Sequence, residues 1–397
     1  MYKSHKNLFE TCCKMLVMAG MLWAGGSTSA QQITRMRCEY GVRSLCIDAA
    51  SPRLTWNIQS AKPLQQSKYR VVVGTDSLQL ASGNGTSVVW DSGVITSDIS
   101  RAVCRDAGLQ SFKRYFWRVT VWDGRGRKIE SSIEPFETAL MNQADWHAVW
   151  ITDSRHRDFE PAPMFRKVFN IDGHRIKRAR FYYSAAAYGA FKLNGRAVSA
   201  DLLNPGYTHY DRRNLYSVYD VTPMLHGGTN VITAVLGNGF YNAIGKVATW
   251  SFDTARWRNR ARMTCLLRVE FDNGKVQEIC SDDTWKTSTG PYLVNNIYAG
   301  DKYDSRLEKT GWEQPSYDDS SWQRAMVVAA PSPLMTAQKI PAIQISRRFK
   351  ATSMQSWGDT VFVYSFPQNI SGFCKLKVQC PSGTKLTLQH GEMKRSD

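Results

Sequence analysis

Segments in which apolar and polar residues alternate with a period of two recur along this chain, and Gly, Pro, Asn and Asp separate them. A period of two places successive side chains on opposite faces of a strand, whereas a helix face repeats about every 3.6 residues, a periodicity that is rare here over any length. Tyr69–Val73 reads as a strand, and Tyr115–Trp122 reads as a longer one ended by a turn at Asp123-Gly124. Phe181–Tyr183 and Tyr188–Leu193 follow, the second entering a hairpin at Asn194-Gly195, a dipeptide that accepts the positive φ angles of a type I′ turn. Asn273-Gly274 marks another hairpin, between Cys265–Phe271 and Lys275–Cys280. Near the end, Cys374–Cys380 alternates, Pro381-Ser382-Gly383 turns, and Lys385–Gln389 alternates back. Short strands with turn signals at this spacing predict β-sandwiches, and 13 Trp, 17 Tyr and 16 Phe suit such cores.

The strands fall into sets. One set spans residues 33–142. Asp145-Trp146 opens a second, placed at 145–328. Ala329–Pro333 reads as a linker, and a third set occupies 343–397. No low-complexity tract or short-period repeat is present.

The first 30 residues read as a secretory signal. Lys3, Lys6 and Lys14 supply the positive start, Met15–Ala24 an apolar run, and Thr28-Ser29-Ala30 a small-residue cleavage site. The apolar run is too short to span a bilayer, and no later stretch does better, so the reading is a secreted or periplasmic protein without a transmembrane segment. Removing residues 1–30 leaves 48 basic against 33 acidic residues, a net charge of +15. The positive charges are scattered. Their densest group, Arg256, Arg258, Arg260 and Arg262, alternates like one face of a strand, and no nucleic-acid-binding motif accompanies it. The reading is therefore no nucleic-acid partner. Seven cysteines remain, an odd number that leaves at least one thiol unpaired.

Hydrolysis of sugars usually needs two carboxylates, and sequence alone pairs none of the 33. The adjacent pairs Asp282-Asp283 and Asp318-Asp319 read as turn caps. No G-x-S-x-G elbow, zinc-type His spacing or phosphate loop occurs. Gly237-Asn238-Gly239 follows the strand Val231–Leu236 and reads as a tight turn.

Several ordered motifs together resemble a known family. Pro52–Trp56, Val89–Gly93 and Tyr115–Asp123 resemble the fibronectin-III-like domain that opens bacterial α-L-rhamnosidases. Trp146–Ile151 with Pro163–Lys167 resembles the entry to that family's N-terminal jelly-roll domain. Leu193–Gly195, Asn204–Asp211, Tyr219–Thr222, Leu236–Tyr241, Ile297–Arg306 and Asp318–Trp322 resemble its body. Tyr364–Gly372 with Leu388–Glu392 resembles the start of a concanavalin-like sandwich. The sequence departs from the family at Asp301 (usually Glu), Ser365 (usually Asp) and Pro367 (usually Gly).

The resemblance implies an all-β chain: a fibronectin-III-like sandwich, a jelly-roll β-sandwich and an incomplete concanavalin-like sandwich. It implies the N-terminal part of an exported enzyme that removes terminal α-L-rhamnose from glycans or glycosides. The family's catalytic carboxylates lie on an (α/α) barrel beyond the concanavalin-like domain, so no catalytic residue is assigned within residues 1–397, and the chain alone is expected to be inactive. The alternative is a free-standing rhamnose-binding module. Because some relatives bind rhamnose on the jelly-roll domain with the aid of calcium, Tyr207, Asp211, Asn238 and Tyr241 are the candidate carbohydrate-binding residues; the alternative is that Pro205-Gly206 and Gly237-Asn238-Gly239 are structural turns and the tyrosines core. No metal is assigned: Asp211 is a candidate calcium ligand, though the neighbouring charge of Arg212 would disfavour a cation there, and a rhamnose-containing glycan is the expected partner.

Overall fold

The computed structural model describes residues 31–391, apart from 42–43, 61–64, 84, 244–251 and 382. The expected signal segment and Glu392 lie outside the described residues.

Alternation becomes strand pairing throughout the first module. Strand Arg114–Asp123 buries Tyr115, Trp117, Val119 and Val121 on one face. It pairs antiparallel with Gln66–Gly74, which buries Tyr69, Val71 and Val73 on the same side. Lys128–Glu130 and Glu134–Glu137 extend this sheet. Gln32–Cys38, Arg53–Gln59 and Arg101–Val103 form the opposing sheet. Trp56 fills the space between the sheets, edge-on to Tyr69 at 5.2 Å, with its indole N–H donating to the Gln66 side chain at 3.0 Å. Among the described residues, the one α-helix is Ser77–Ser82, capped by Asp76. No described helix is long and apolar enough to cross a membrane.

The second module is a two-sheet sandwich. One sheet runs Met326–Val328, Trp150–Thr152, Arg262–Phe271, Ile176–Ala186, Asn214–Asp220, Met335–Ala337, with Val276–Cys280 also paired to Arg262–Phe271. The other runs Arg196–Ala197, Tyr188–Leu193, Gly228–Gly237, Pro163–Ile171, Lys286–Thr289, Gln323–Arg324. The Asn194-Gly195 hairpin forms with both residues at positive φ, 50° and 75°. The chain stays with this module past the stretch read as a linker. Ser332 is buried and accepts from Asn214 at 2.7 Å, and Met335–Ala337 adds a parallel strand beside Asn214–Tyr216. Asn214 is nearly inaccessible, so its amide makes this connection part of the core.

Ile176–Ala186 departs from simple alternation, because Ala179 to Ala186 are all buried. Phe181 and Tyr183 pack inward on Phe191, with ring centroids 5.3 and 4.3 Å away. Tyr182 points the other way and meets Phe112 of the first module edge-on at 5.1 Å. A strand covered on both faces loses its polar positions. The same face carries Arg178 and Arg180, whose guanidinium groups reach Glu137 of the first module.

Two expectations are corrected, one in the C-terminal part and one in the second module. Ser353–Trp357 and Val361–Ser365 form a hairpin, ending two residues before Pro367. The expected strand pair Cys374–Cys380 with Lys385–Gln389 does not form among the described residues, and Leu376, Val378, Leu386 and Leu388 are exposed. Alternation needs a sheet face to bury, and a lone two-stranded ribbon supplies too little. The row Arg256, Arg258, Arg260, Arg262 is likewise not one strand face. It passes from a turn into the start of Arg262–Phe271, and three of its arginines make separate ion pairs.

Candidate functional site

The expected site residues gather at one end of the second module, where the loop 203–213 meets the loop after strand Gly228–Gly237. The first loop is tied down by Asn204, whose side-chain N–H groups donate to the Tyr183 hydroxyl at 2.7 Å and the Ser217 hydroxyl at 2.9 Å. The amide of Gly206 donates to Gln338 at 2.7 Å. In the second loop Gly239 takes φ 50°, and a Cβ there would lie 3.0 Å from the Tyr188 ring. Glycine is needed here for both reasons.

The four expected residues separate into two kinds. Tyr207 is 44% exposed and packs edge-on against Phe240 at 4.9 Å. Asp211 is half-buried, with one carboxylate oxygen 3.0 Å from His209 Nδ1 and the other accepting from Arg256 at 2.8 Å. The hydrogen bond from His209 and the charge of Arg256 hold its carboxyl below the usual range. Asn238 and Tyr241 are each only 1% exposed. Asn238 donates to the Asn295 carbonyl at 3.2 Å and accepts from Asn242 at 3.1 Å, so its amide joins two loops. Tyr241 lies between Tyr210, 5.1 Å away edge-on, and the Arg262 guanidinium. Burial pushes its hydroxyl up to about 12. Both side chains are engaged inside the loop cluster in this arrangement.

Sequence reading missed the surroundings. Trp257 packs on His209 at 5.0 Å and donates to the Phe240 carbonyl at 3.1 Å. Arg260 is buried and donates to both oxygens of buried Asp153 at 2.8 and 2.6 Å, and to the carbonyls of Phe159 and Pro161. These bonds fix the 153–161 segment beside the loop cluster. Nothing local in the sequence pairs Asp153 with Arg260, because 107 residues separate them.

The donor set does not fit calcium, which takes six to eight oxygens. Asp211 has both oxygens engaged, one by a guanidinium, and among the described residues no group of three or more His, Cys, Asp or Glu could hold a metal ion. The expected turn caps are in place: Asp282 accepts from the Thr284 amide at 2.9 Å and Asp318 from the Ser320 amide at 2.9 Å.

An immunoglobulin-like sandwich joined to a jelly-roll sandwich with an aromatic loop cluster defines a tandem of β-sandwich modules. Residues 33–142 match the family model described as Rha78A-like, N-terminal immunoglobulin domain, and residues 174–347 match that of the alpha-L-rhamnosidase N-terminal domain. Together with the likeness to an alpha-L-rhamnosidase of Formosa agariphila, these matches show that the chain belongs to the alpha-L-rhamnosidase family and corresponds to the N-terminal portion of its members. The Formosa agariphila protein is 32% identical over 369 residues, covering 85% of this chain and 38% of that protein. The solved alpha-L-rhamnosidase of Dictyoglumus thermophilum superimposes with a TM-score of 0.79 at 31% identity, covering 86% of this chain and 39% of that one. The Streptomyces avermitilis alpha-L-rhamnosidase, solved in complex with L-rhamnose, shares the fold with a TM-score of 0.76 at 22% identity, covering 84% and 48%. The chain thus spans about two-fifths of the length of the first two relatives.

Proposed function

We propose that this chain is the non-catalytic N-terminal part of an exported enzyme that hydrolyses terminal α-L-rhamnose from glycans or glycosides. Its role is to hold the two modules as a fixed platform. The observation that carries this reading is the junction itself: Glu137 of the first module is nearly inaccessible and accepts from Arg180 and Arg178 of the second. The hydroxyl of buried Tyr216 also accepts from the Leu140 amide at 3.1 Å. A hinge meant to flex would leave such charges in water. The test is turnover of nitrophenyl α-L-rhamnoside by the purified chain. None is expected. Turnover abolished by mutating one of the chain's own carboxylates would overturn the reading.

A second reading, a rhamnose-binding module, is favoured by one observation: Tyr207 is exposed beside the Asp211–Arg256 pair, an aromatic wall next to hydroxyl-pairing groups. Calorimetric titration with L-rhamnose tests it. Saturable heat, unchanged by chelator and lost in Asp211→Ala, supports binding. No heat from folded protein leaves the platform alone.

A further inference from the structure

A row of basic residues crosses the outer face of the six-stranded sheet of the second module. Strand registry places Lys192 opposite Thr233, Thr233 opposite Arg166, Arg166 opposite Lys286, and Lys286 opposite Arg324. Directly opposed residues share a face with Cβ atoms about 4.5–5.5 Å apart, and like charges so placed repel. Arg166, Lys286 and Arg324 are therefore three cations in consecutive positions across three strands.

Segment 312–319 lies over part of this row and supplies counter-charge unevenly. Glu313 pairs with Lys192 at 2.6 Å, and Asp319 pairs with Arg166. Arg166, 1% exposed, spends its remaining donors on the carbonyls of Trp312, Gln314 and Pro315. It is thereby fixed as part of the wall. Neither Lys286 nor Arg324 has an ion-pair partner among the described residues. Lys286 instead lines a shallow recess of about 320 Å³ together with Arg166, Lys167, Thr284, Tyr317 and Asp319. That volume is at the lower end of the range for small-ligand sites, roughly 300–1,000 Å³. Tyr317, half-buried, is backed by the Arg166 guanidinium at 5.6 Å and the Trp322 ring at 6.1 Å, which hold its ring as a firm wall.

We propose that this recess binds an acidic sugar residue, with the Lys286 ammonium facing its carboxylate or sulfate and the Tyr317 ring packing on its apolar face. An ammonium is a point charge that accepts either anion without demanding bidentate geometry. An aromatic ring beside it distinguishes a sugar ring from a bare ion. The site lies apart from the Tyr207 loop cluster, so it stands or falls independently of rhamnose binding there.

The experiment is calorimetric titration of the purified chain with trigalacturonate, with carboxyl-reduced trigalacturonate, with a sulfated monosaccharide and with inorganic sulfate. Trigalacturonate is expected to bind saturably and to weaken as salt rises. Lys286→Met and Tyr317→Ala should each weaken it roughly five- to tenfold. Lys192→Met, which removes an ammonium already paired with Glu313, should leave affinity within about twofold. Binding of the sulfated monosaccharide that also depends on Lys286 and Tyr317 would make sulfate the second acceptable group. Equal binding of the carboxyl-reduced sugar would overturn the proposal. So would equal binding by Lys286→Met, or inorganic sulfate binding as tightly as the sugar. No saturable binding by folded protein would mean that Lys286 and Arg324 serve only to keep the sheet edge from pairing with other strands.

Discussion

Arg180 of the second module donates through Nε and Nη2 to the two carboxylate oxygens of Glu137 in the first, at 2.7 and 2.8 Å, with both side chains under a tenth exposed. Arg178 adds a third contact to Glu137 at 3.2 Å and also holds Glu270. The junction between modules is therefore a desolvated charge cluster, flanked by the Phe112–Tyr182 ring contact. Removing one partner of such a cluster leaves buried charge unpaired, which costs about 3–5 kcal/mol. Glu137→Ala is expected near the lower end, about 3 kcal/mol, because Arg178 keeps Glu270 and Arg180 keeps Asp220 at 2.7 Å. Urea unfolding monitored by tryptophan fluorescence reads the loss. Two separated transitions in the variant, in place of one, would show that Glu137 couples the modules.

Acid should loosen the first module. Glu39 is pushed up by burial, but the hydrogen bonds and charge of Arg53 outweigh this and leave its carboxyl below the usual range. Asp91 is lowered by its hydrogen bonds to Arg70. For a carboxyl depressed in the folded state, the stabilisation is present above its unfolded value and is lost as pH falls through the folded value. The unfolded values are near 4.5 and 3.8. The melting temperature is therefore expected to hold from pH 6 to about 5 and to fall below that. Glu39→Gln should flatten part of this fall. An identical profile in the variant would assign the acid sensitivity elsewhere.

The strands that bury one face were legible in the sequence, because alternation and burial then coincide. Arg114–Asp123 and the hairpin at Asn194-Gly195 lie where the pattern puts them. Ile176–Ala186 was read only over Phe181–Tyr183, since its second face is covered by residues about 70 positions away, around Phe112. The site was legible as loops and not as side-chain directions. Tyr207 and Asp211 reach the surface, whereas Asn238 and Tyr241 turn inward to join Asn295 and Tyr210. Polar and aromatic residues in a turn look the same to a sequence whether they meet solvent or bridge two loops. The basic row escaped notice because it is formed by registry, one residue from each strand, and has no local pattern.

Thiol chemistry gives a direct check on the C-terminal part. The seven cysteines from Cys38 to Cys380 are all free, and only Cys374 and Cys380 are exposed. Burial pushes the Cys280 thiol up to about 11 and Cys104 up to about 12, which keeps them protonated and unreactive at neutral pH. In a chain beginning at Gln31, two thiols should label rapidly with a disulfide reagent at pH 8, and five only after denaturation. Cys374→Ser with Cys380→Ser should abolish the fast phase. A fast phase that persists would place another cysteine in solvent, and no fast phase in the parent would mean that the 366–391 segment is covered.

Two glycines separate local strain from contact at the loop cluster. Gly274 takes φ 81° in the hairpin between Arg262–Phe271 and Val276–Cys280, with nothing within 4 Å of where a Cβ would stand. Gly274→Ala should cost only the left-handed strain, about 1–2 kcal/mol. Gly239 takes φ 50° as well, but its added Cβ would sit 3.0 Å from two Tyr188 ring carbons. The Tyr188 ring or the loop must give way by a few tenths of an ångström to accept the methyl group. Gly239→Ala should therefore cost more than Gly274→Ala, by about 1 kcal/mol or more of overpacking, and should displace Phe240 from Tyr207. Chemical denaturation of the two variants side by side measures the difference. Equal losses would mean that the loop shifts to accept the methyl group and that the close approach to Tyr188 does not define the site.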